Sequence, residues 1–194
     1  MKKDMRQHIL EKAFELFYEK GYDETTISDI LERADIARGS FYYHFKGKDE
    51  LLNSICELLD EQYMEIEESF PEGMNAFDKL VYMNTVVHTY MGNNNPCDLL
   101  ANQYSMQLVR TGGNNLLDKN RYYFRLLTKV IDEGKAEGSI VNDRPTSEIV
   151  RFYSMCERAL VTDWCMNNGE YSLGEYSEQV FHCMIDKLRA QREA

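Results

Sequence analysis

The run FYYHF, residues 41 to 45, sets four aromatic rings and an imidazole on little more than one helical turn. Arg38, Gly39 and Ser40 precede it, and the lysines of KGK follow. A core takes two such rings at helical spacing. Projected at about 100° per residue, Phe41 and Phe45 share one side and Gly39, Ser40 and Tyr43 the other. Arg38 and Tyr42 occupy one flank and His44 the opposite one. The outward groups are a guanidinium, hydroxyls, phenols and an imidazole. Their chemistry is hydrogen bonding to base edges and phosphate oxygens. A helix facing only water gains nothing from Tyr42, Tyr43 and His44 in succession.

Two earlier helices must hold that face. The first is expected from Asp4 to Lys20, with Ile9, Leu10, Ala13, Phe14 and Phe17 as its apolar stripe. Gly21 supplies the left-handed residue that closes it, and Tyr22 folds back on it. The second opens at Thr26, with Asp29 three residues on as a variant capping box, and ends near Ala34. Ile27, Ile30 and Leu31 face inward. Two short helices joined by a tight turn, the second with an exposed polar and aromatic face, form a helix-turn-helix. Arg38 sits on the first turn of its second helix, where an arginine suits the paired acceptors of guanine. Gly39 allows close approach, and Ser40 and Tyr43 reach bases or the thymine methyl. Tyr42, His44 and Lys48 flank the helix as phosphate ligands. Thr26 and Ser28 hold neighbouring phosphates at the start of the second helix.

The stretch TTISDILERADIARGSFYYHFKGKDELL, Thr25 to Leu52, resembles the TetR family of bacterial one-component regulators. The likeness is strong over roughly the first 55 residues and beyond them rests on length and helix count. Two positions depart from the family's pattern. Asp35 stands where a glycine usually makes the turn, and Asp tolerates left-handed geometry at some cost. Ala37 stands where Ser or Thr usually caps the recognition helix, a loss of roughly 0.5–2 kcal/mol.

The net charge of −11 is unevenly spread. Residues 1–50 carry 9 Lys/Arg against 11 Asp/Glu, whereas residues 51–194 carry 13 against 22. A basic patch fits in the first part, and the rest is an acidic globule that a phosphate backbone would not seek. The charged N-terminus offers no signal peptide or membrane span, so the expected location is cytoplasmic and no membrane partner is expected. Five cysteines without a CxxC pair read as small buried hydrophobes. No metal-ligand spacing, Gly-rich phosphate loop, nucleophile elbow or HExxH appears, so no cofactor, metal or catalytic residue is expected.

Long 3.6-period stretches and three prolines predict an all-α fold of about nine helices. A helix-turn-helix domain over 1–48 is followed by an effector-binding and dimerisation domain over 49–194. Helix four is expected to run unbroken from Lys48 to about Glu68. Further helices are expected near 75–91, 98–110, 115–137, 146–168 and 174–191, separated by GNNNP, TGGNN, EGSIVNDRP and NNGEYS. The resemblance implies that the larger part binds an unidentified small molecule and forms a homodimer on double-stranded DNA. The last two helices are apolar on more than one face. Tyr153, Leu160, Trp164, Val180, Phe181, Met184, Ile185 and Leu188 are therefore the expected dimer interface. Candidate pocket residues are Met64, Tyr82, Val86, Tyr90, Tyr104, Leu108, Tyr123, Leu127, Phe152 and Met155, with His88 and Asn102 as polar groups.

The function expected is a ligand-responsive DNA-binding regulator, a repressor released from a palindromic operator when effector moves helix four. The alternative is a helical interaction protein or degenerate regulator without specific DNA binding, for which Asp35 and Ala37 are the best argument. Arg38→Ala discriminates between them. It is expected to relax base preference at one position per half-site, at a cost of about 1–3 kcal/mol on the preferred operator. An unchanged profile in binding-site selection would remove Arg38 as the base reader.

Overall fold

The structure, a computed structural model, describes residues 5–94, 96–109 and 115–190. The expected helix ends at Asp4, Arg110 and Gln191 lie outside these residues, as do Asn95 of GNNNP and the first four residues of TGGNN. Ten α-helices follow one another among the described residues: α1 (Met5–Lys20), α2 (Ile27–Ala34), α3 (Arg38–His44), α4 (Lys48–Leu52), α5 (Ser54–Glu68), α6 (Ala76–Asn94), α7 (Cys97–Val109), α8 (Tyr122–Glu137), α9 (Thr146–Met166) and α10 (Leu173–Ile185). Short 3-10 turns cover Asn115–Leu117 and Asp186–Leu188. The all-α expectation is met. By contact the chain forms two compact units, residues 1–58 with 95–116, and residues 59–94 with 117–194.

In the first unit α1 buries Ile9, Leu10, Ala13, Phe14, Leu16 and Phe17. It ends at Gly21, whose φ of 87° and N–H bond to the Phe17 carbonyl make the left-handed stop. Tyr22 then returns onto Phe17, with ring centroids 5.1 Å apart. The α1–α2 pair is fixed from outside by directional contacts. Arg33 forks onto Glu19 at 2.8 and 2.6 Å, and His8 donates to the Ala34 carbonyl at 3.0 Å. Thr26 and Asp29 form the full capping box, and Lys20 joins it at 2.6 Å. The Lys20 ammonium and the Thr26 donors hold the Asp29 carboxyl well below its usual range.

The turn into α3 uses Asp35 in left-handed geometry, φ 52° and ψ 53°, with its N–H on the Leu31 and Glu32 carbonyls. Ala37 is the N-cap of α3 at φ −72° and ψ 150°, and no side chain caps that helix. Inward, Phe41 and Phe45 are buried, and Arg6 lies 5.5 Å over the Phe45 ring. α7 belongs to this unit too. Its Asp98 carboxylate accepts from the Tyr22 N–H at 2.9 Å, and Gln103 donates to the Cys56 sulfur at 3.1 Å.

One expected helix is two. The run from Lys48 to Glu68 breaks at Asn53, where both Asn53 N–H to Glu50 and Cys56 N–H to Asn53 are three-residue bonds of 3.2 Å. Such tightening re-aims a helix, so the twenty-residue rigid rod expected from the apolar spacing is absent.

In the second unit α6 packs against α8 and α10, and α9 packs against α8 and α10. Gly174 permits the α6–α10 approach, because a Cβ there would lie 2.2 Å from Thr89 Oγ1 and 2.8 Å from its Cα. Tyr153 donates to the Leu80 carbonyl at 2.8 Å and meets Phe181 edge-on at 5.1 Å.

This packing changes the reading of the last helices. Tyr153, Leu160, Trp164, Phe181, Ile185 and Leu188, expected between two copies, are buried inside one chain. Val180 and Met184 are half-buried. With α8 on one side of α9 and α10 on the other, the widest apolar stripe is consumed internally. The outward stripe of α9 is instead Phe152, Met155, Ala159 and Met166, at helical spacing.

The missing cap on α3 generates a prediction. Ala37 already has N-cap backbone geometry and is exposed. Ala37→Ser should therefore stabilise the chain by about 0.5–2 kcal/mol in urea denaturation, by giving the first-turn amides an acceptor. A destabilised variant would mean that this turn is held by other means.

Candidate nucleic-acid interface and effector core

α3 is a seven-residue helix anchored on one side only. With Phe41 and Phe45 below, the other residues are directed outward. Tyr43 is 85% and Tyr42 46% exposed. Arg38 and Gly39 are exposed, and Ser40 and His44 are half-buried. Space beside Gly39 is open, with no atom within 4 Å of a Cβ placed there. Tyr43 and His44 pack edge-on at 4.9 Å, which orders the two rings as one surface. Thr26 and Ser28 are exposed at the first turn of α2. Thr26 is already engaged by Asp29, which accepts from both its N–H and its hydroxyl at 2.7 Å. Eight of the nine residues proposed for the DNA face thus lie along α3 or at the start of α2.

Lys48 is the exception. Its ammonium donates to the carbonyls of Tyr22 at 2.7 Å, Thr25 at 2.8 Å and Asp23 at 3.4 Å, and stands 4.2 Å over the Tyr22 ring. An ammonium has three donors, and all three are occupied. Lys48 therefore clamps the α1–α2 loop from the start of α4. Lys46 is the exposed lysine at the end of α3, and its own N–H is held by Glu50 at 2.5 Å. By sequence alone, Lys48 of KGK is expected on the phosphates. Only the chain reversal decides which lysine turns inward.

The pocket candidates do not form one cluster. Tyr104 and Leu108 fall on α7 of the first unit, Leu108 being 88% exposed. Met64, Phe152 and Met155 are exposed on the second unit. Tyr82, Val86 and Tyr90 are half-buried along α6, whereas Tyr123 and Leu127 are buried. Asn102 bonds its own helix at the Asp98 carbonyl.

At the centre of the second unit lies a polar knot that apolar periodicity hid. Glu157 is buried and accepts from the Tyr123 hydroxyl, from Tyr63 at 3.4 Å and from Asn84 at 3.4 Å. Asn84 also reaches His88 Nε2 at 3.3 Å, and His88 Nδ1 meets Ser177 Oγ at 2.6 Å. The Asn84 carbonyl oxygen is buried with no partner. Burial pushes the Glu157 carboxyl up to about 7, against the pull of its hydrogen bonds from Tyr123 and Asn84. Burial also lowers His88 to about 3, so the imidazole is neutral. The one signal for Glu157 was its register. It lies four residues after Tyr153 and three before Leu160, on the buried face of α9.

Among the described residues no group of His, Cys, Asp and Glu is placed to hold a metal, and no helix is long and apolar enough to cross a membrane. Cys56 and Cys156 are buried, Cys97 and Cys165 half-buried and Cys183 exposed.

A short helix set on a helical frame with its aromatic and basic face exposed defines a helix-turn-helix DNA-binding regulator. Comparison with known proteins agrees. The profile described as "Bacterial regulatory proteins, tetR family" matches residues 9–55. That described as "YsiA-like protein, C-terminal region" matches residues 66–187, more than half of the chain. The chain belongs to the tetR family of bacterial regulatory proteins. It is similar to the fatty acid metabolism regulator protein of Bacillus subtilis, with 26% identity over 96% of this chain and 97% of that one. Its fold is similar to Thermus thermophilus FadR, a transcriptional repressor solved with lauroyl-CoA. The TM-score there is 0.76 at 20% identity, covering 97% of each chain. Bacillus subtilis FadR with stearoyl-CoA gives 0.72 at 24%, covering 93% of this chain and 98% of that one.

The polar knot generates a pH prediction. The folded chain holds the Glu157 proton more tightly than the unfolded chain does. This stabilisation is therefore full below the ordinary value of 4.5 and lost as pH rises through about 7. His88 acts oppositely: its contribution is full above 6.5 and lost as pH falls toward about 3. Comparison with Glu157→Gln isolates the first term. The stability of wild type relative to Glu157→Gln should fall by about 3 kcal/mol between roughly pH 4.5 and 7.5. Urea titrations across that range measure it, and a constant difference would count against a proton on Glu157.

Proposed function

We propose that the chain is a homodimeric repressor that leaves its operator when it binds a fatty acyl-CoA. Residues 1–48 serve as the DNA head and residues 49–194 as the effector-binding and dimerisation part. In this reading Arg38, Gly39, Ser40 and Tyr43 face the major groove, and Tyr42, His44, Thr26, Ser28 and Lys46 face phosphates. Lys48 is a positioning residue for the loop beneath them. The two copies meet through the outward residues Phe152, Ala159 and Met166 of α9 and Tyr176, Val180 and Met184 of α10. These form two apolar stripes at helical spacing that the chain itself leaves uncovered or half-covered.

The observation that carries the effector class is full-length likeness to a fatty acid metabolism regulator, reinforced by the two relatives solved with acyl-CoA. The acidic remainder of the chain, 13 basic against 22 acidic residues over 51–194, supports confining DNA contact to the head. Release requires that the acyl-CoA bind the state unable to hold DNA more tightly than the state that holds it.

The test is an electrophoretic shift on the DNA flanking the gene for this chain, titrated with stearoyl-CoA and, separately, with stearate. A retarded complex that dissociates with the thioester is the expected result. A complex indifferent to saturating acyl-CoA would overturn the effector class while leaving the DNA-binding reading in place.

A further inference from the structure

A groove of about 1080 Å³ runs along the second unit between α8 and α9. On α8 it is bordered by residues 124, 125, 128, 129 and 132, and on α9 by 147, 150, 151, 154, 155 and 158. Both sets follow the three- and four-residue spacing of one helix face. Its lining combines the apolar Leu117, Phe124, Val150 and Met155 with the bases Lys119, Arg125, Lys129, Arg151 and Arg158. Two acids, Asp132 and Glu148, are the opposing charges. Five bases against two acids is the reverse of the chain as a whole, which carries 22 against 33.

The charges are sorted along the groove. Asp132 accepts from the Thr146 hydroxyl at 2.6 Å, so the acids sit where the short α8–α9 connection closes one end. From that pairing, the antiparallel helices place Arg125 and Arg158 away from the connection. Among the described residues Lys119, Arg125, Arg151 and Arg158 form no ion pair, whereas Lys129 is held by Glu67 at 2.5 Å. Arg125 donates to the Asn120 carbonyl at 2.5 Å and lies 5.4 Å over the Tyr122 ring, and Arg158 exerts a pull on the Glu157 carboxyl, but none of the four is neutralised by a carboxylate at ion-pair distance.

We propose that this groove is the seat of the phosphate-bearing head of an amphiphilic effector, with Arg125, Arg151, Arg158 and Lys119 on its phosphates and Phe124 and Met155 against its apolar part. The inference rests on the acyl-CoA reading and adds the place and the chemistry of recognition. A fatty acid brings one carboxylate, which one arginine satisfies. A coenzyme A thioester brings several phosphate charges beside an apolar chain. That combination matches four cations without ion pairs beside apolar lining residues. The volume lies at the upper end for small-molecule sites, as a large head requires.

The test is calorimetric titration of wild type and Arg151→Gln/Arg158→Gln with stearoyl-CoA, free coenzyme A and stearate at two salt concentrations. Wild type should bind stearoyl-CoA more weakly at high salt, and free coenzyme A should compete for the site. The double variant should lose about tenfold or more in affinity for the thioester, with a flatter salt dependence and unchanged stearate binding. Lys119→Gln/Arg125→Gln, altered on the opposite side, should show the same pattern and serves if the first variant fails to fold. Tight thioester binding by wild type and both variants alike would overturn the groove and leave the acyl-CoA reading standing. No thioester binding by wild type would remove both.

Discussion

The second unit is organised by a single buried carboxyl group that forms no ion pair among the described residues, the charge of Arg158 pulling on it less than its hydrogen bonds do. An acid buried without a counter-charge is costly unless hydrogen bonds surround it, and the donors must then arrive from every side. Here they come from Tyr63 on α5, Asn84 on α6 and Tyr123 on α8 toward Glu157 on α9, and the His88–Ser177 bond extends the link to α10. Five helices must be in register for the knot to close. Apolar packing alone would tolerate a shifted helix, but a polar knot loses a partner with each shift. The close approach at Gly174 and the bond from Tyr153 to the Leu80 carbonyl are further contacts compatible with that register.

The first unit is held by different physics. Its core is aromatic, and its helix ends are specified by local devices: the Gly21 stop, the Thr26–Asp29 box and the Asp35 turn. The ion pairs around α1 and α2 are half-exposed, each a modest contribution that fixes direction more than stability. α3 receives none of these supports on its outer side. Its position depends on Phe41 and Phe45 below and on Lys48, which locks the preceding loop by filling three carbonyls at once. The result is a seat under a helix whose polar face forms no side-chain hydrogen bond or ion pair among the described residues.

α9 shows how one helix can serve three purposes. Tyr153, Glu157, Leu160 and Trp164 face the core. Phe152, Ala159 and Met166 form the outward stripe, and Arg151, Met155 and Arg158 border the groove shared with α8. Met155 stands where the last two sectors meet. A ligand in that groove and a second copy on that stripe would therefore touch the same helix on neighbouring faces. That is the arrangement in which occupancy of one site can bias the other without a long relay.

Much of the first unit was legible in the residues, because its features are local. A capping box is a spacing of three, a left-handed stop is one glycine, and a helix with two inward phenylalanines leaves its other rings outside by geometry alone. The composition and periodicity likewise settled the all-α fold. Tertiary structure decided the rest. KGK does not say which lysine turns inward, because the carbonyls that capture Lys48 lie more than twenty residues earlier and converge only after the chain reverses. A helix apolar on several faces does not say which face is core. The assignment of Leu160 to the interior and Phe152 to the exterior depends on where α8 and α10 lie. Glu157 reads as a surface acid until α5, α6 and α8 bring their donors to it. Spacing along the chain determines a helix and its faces, whereas the partner of each face is set by packing between segments far apart in sequence.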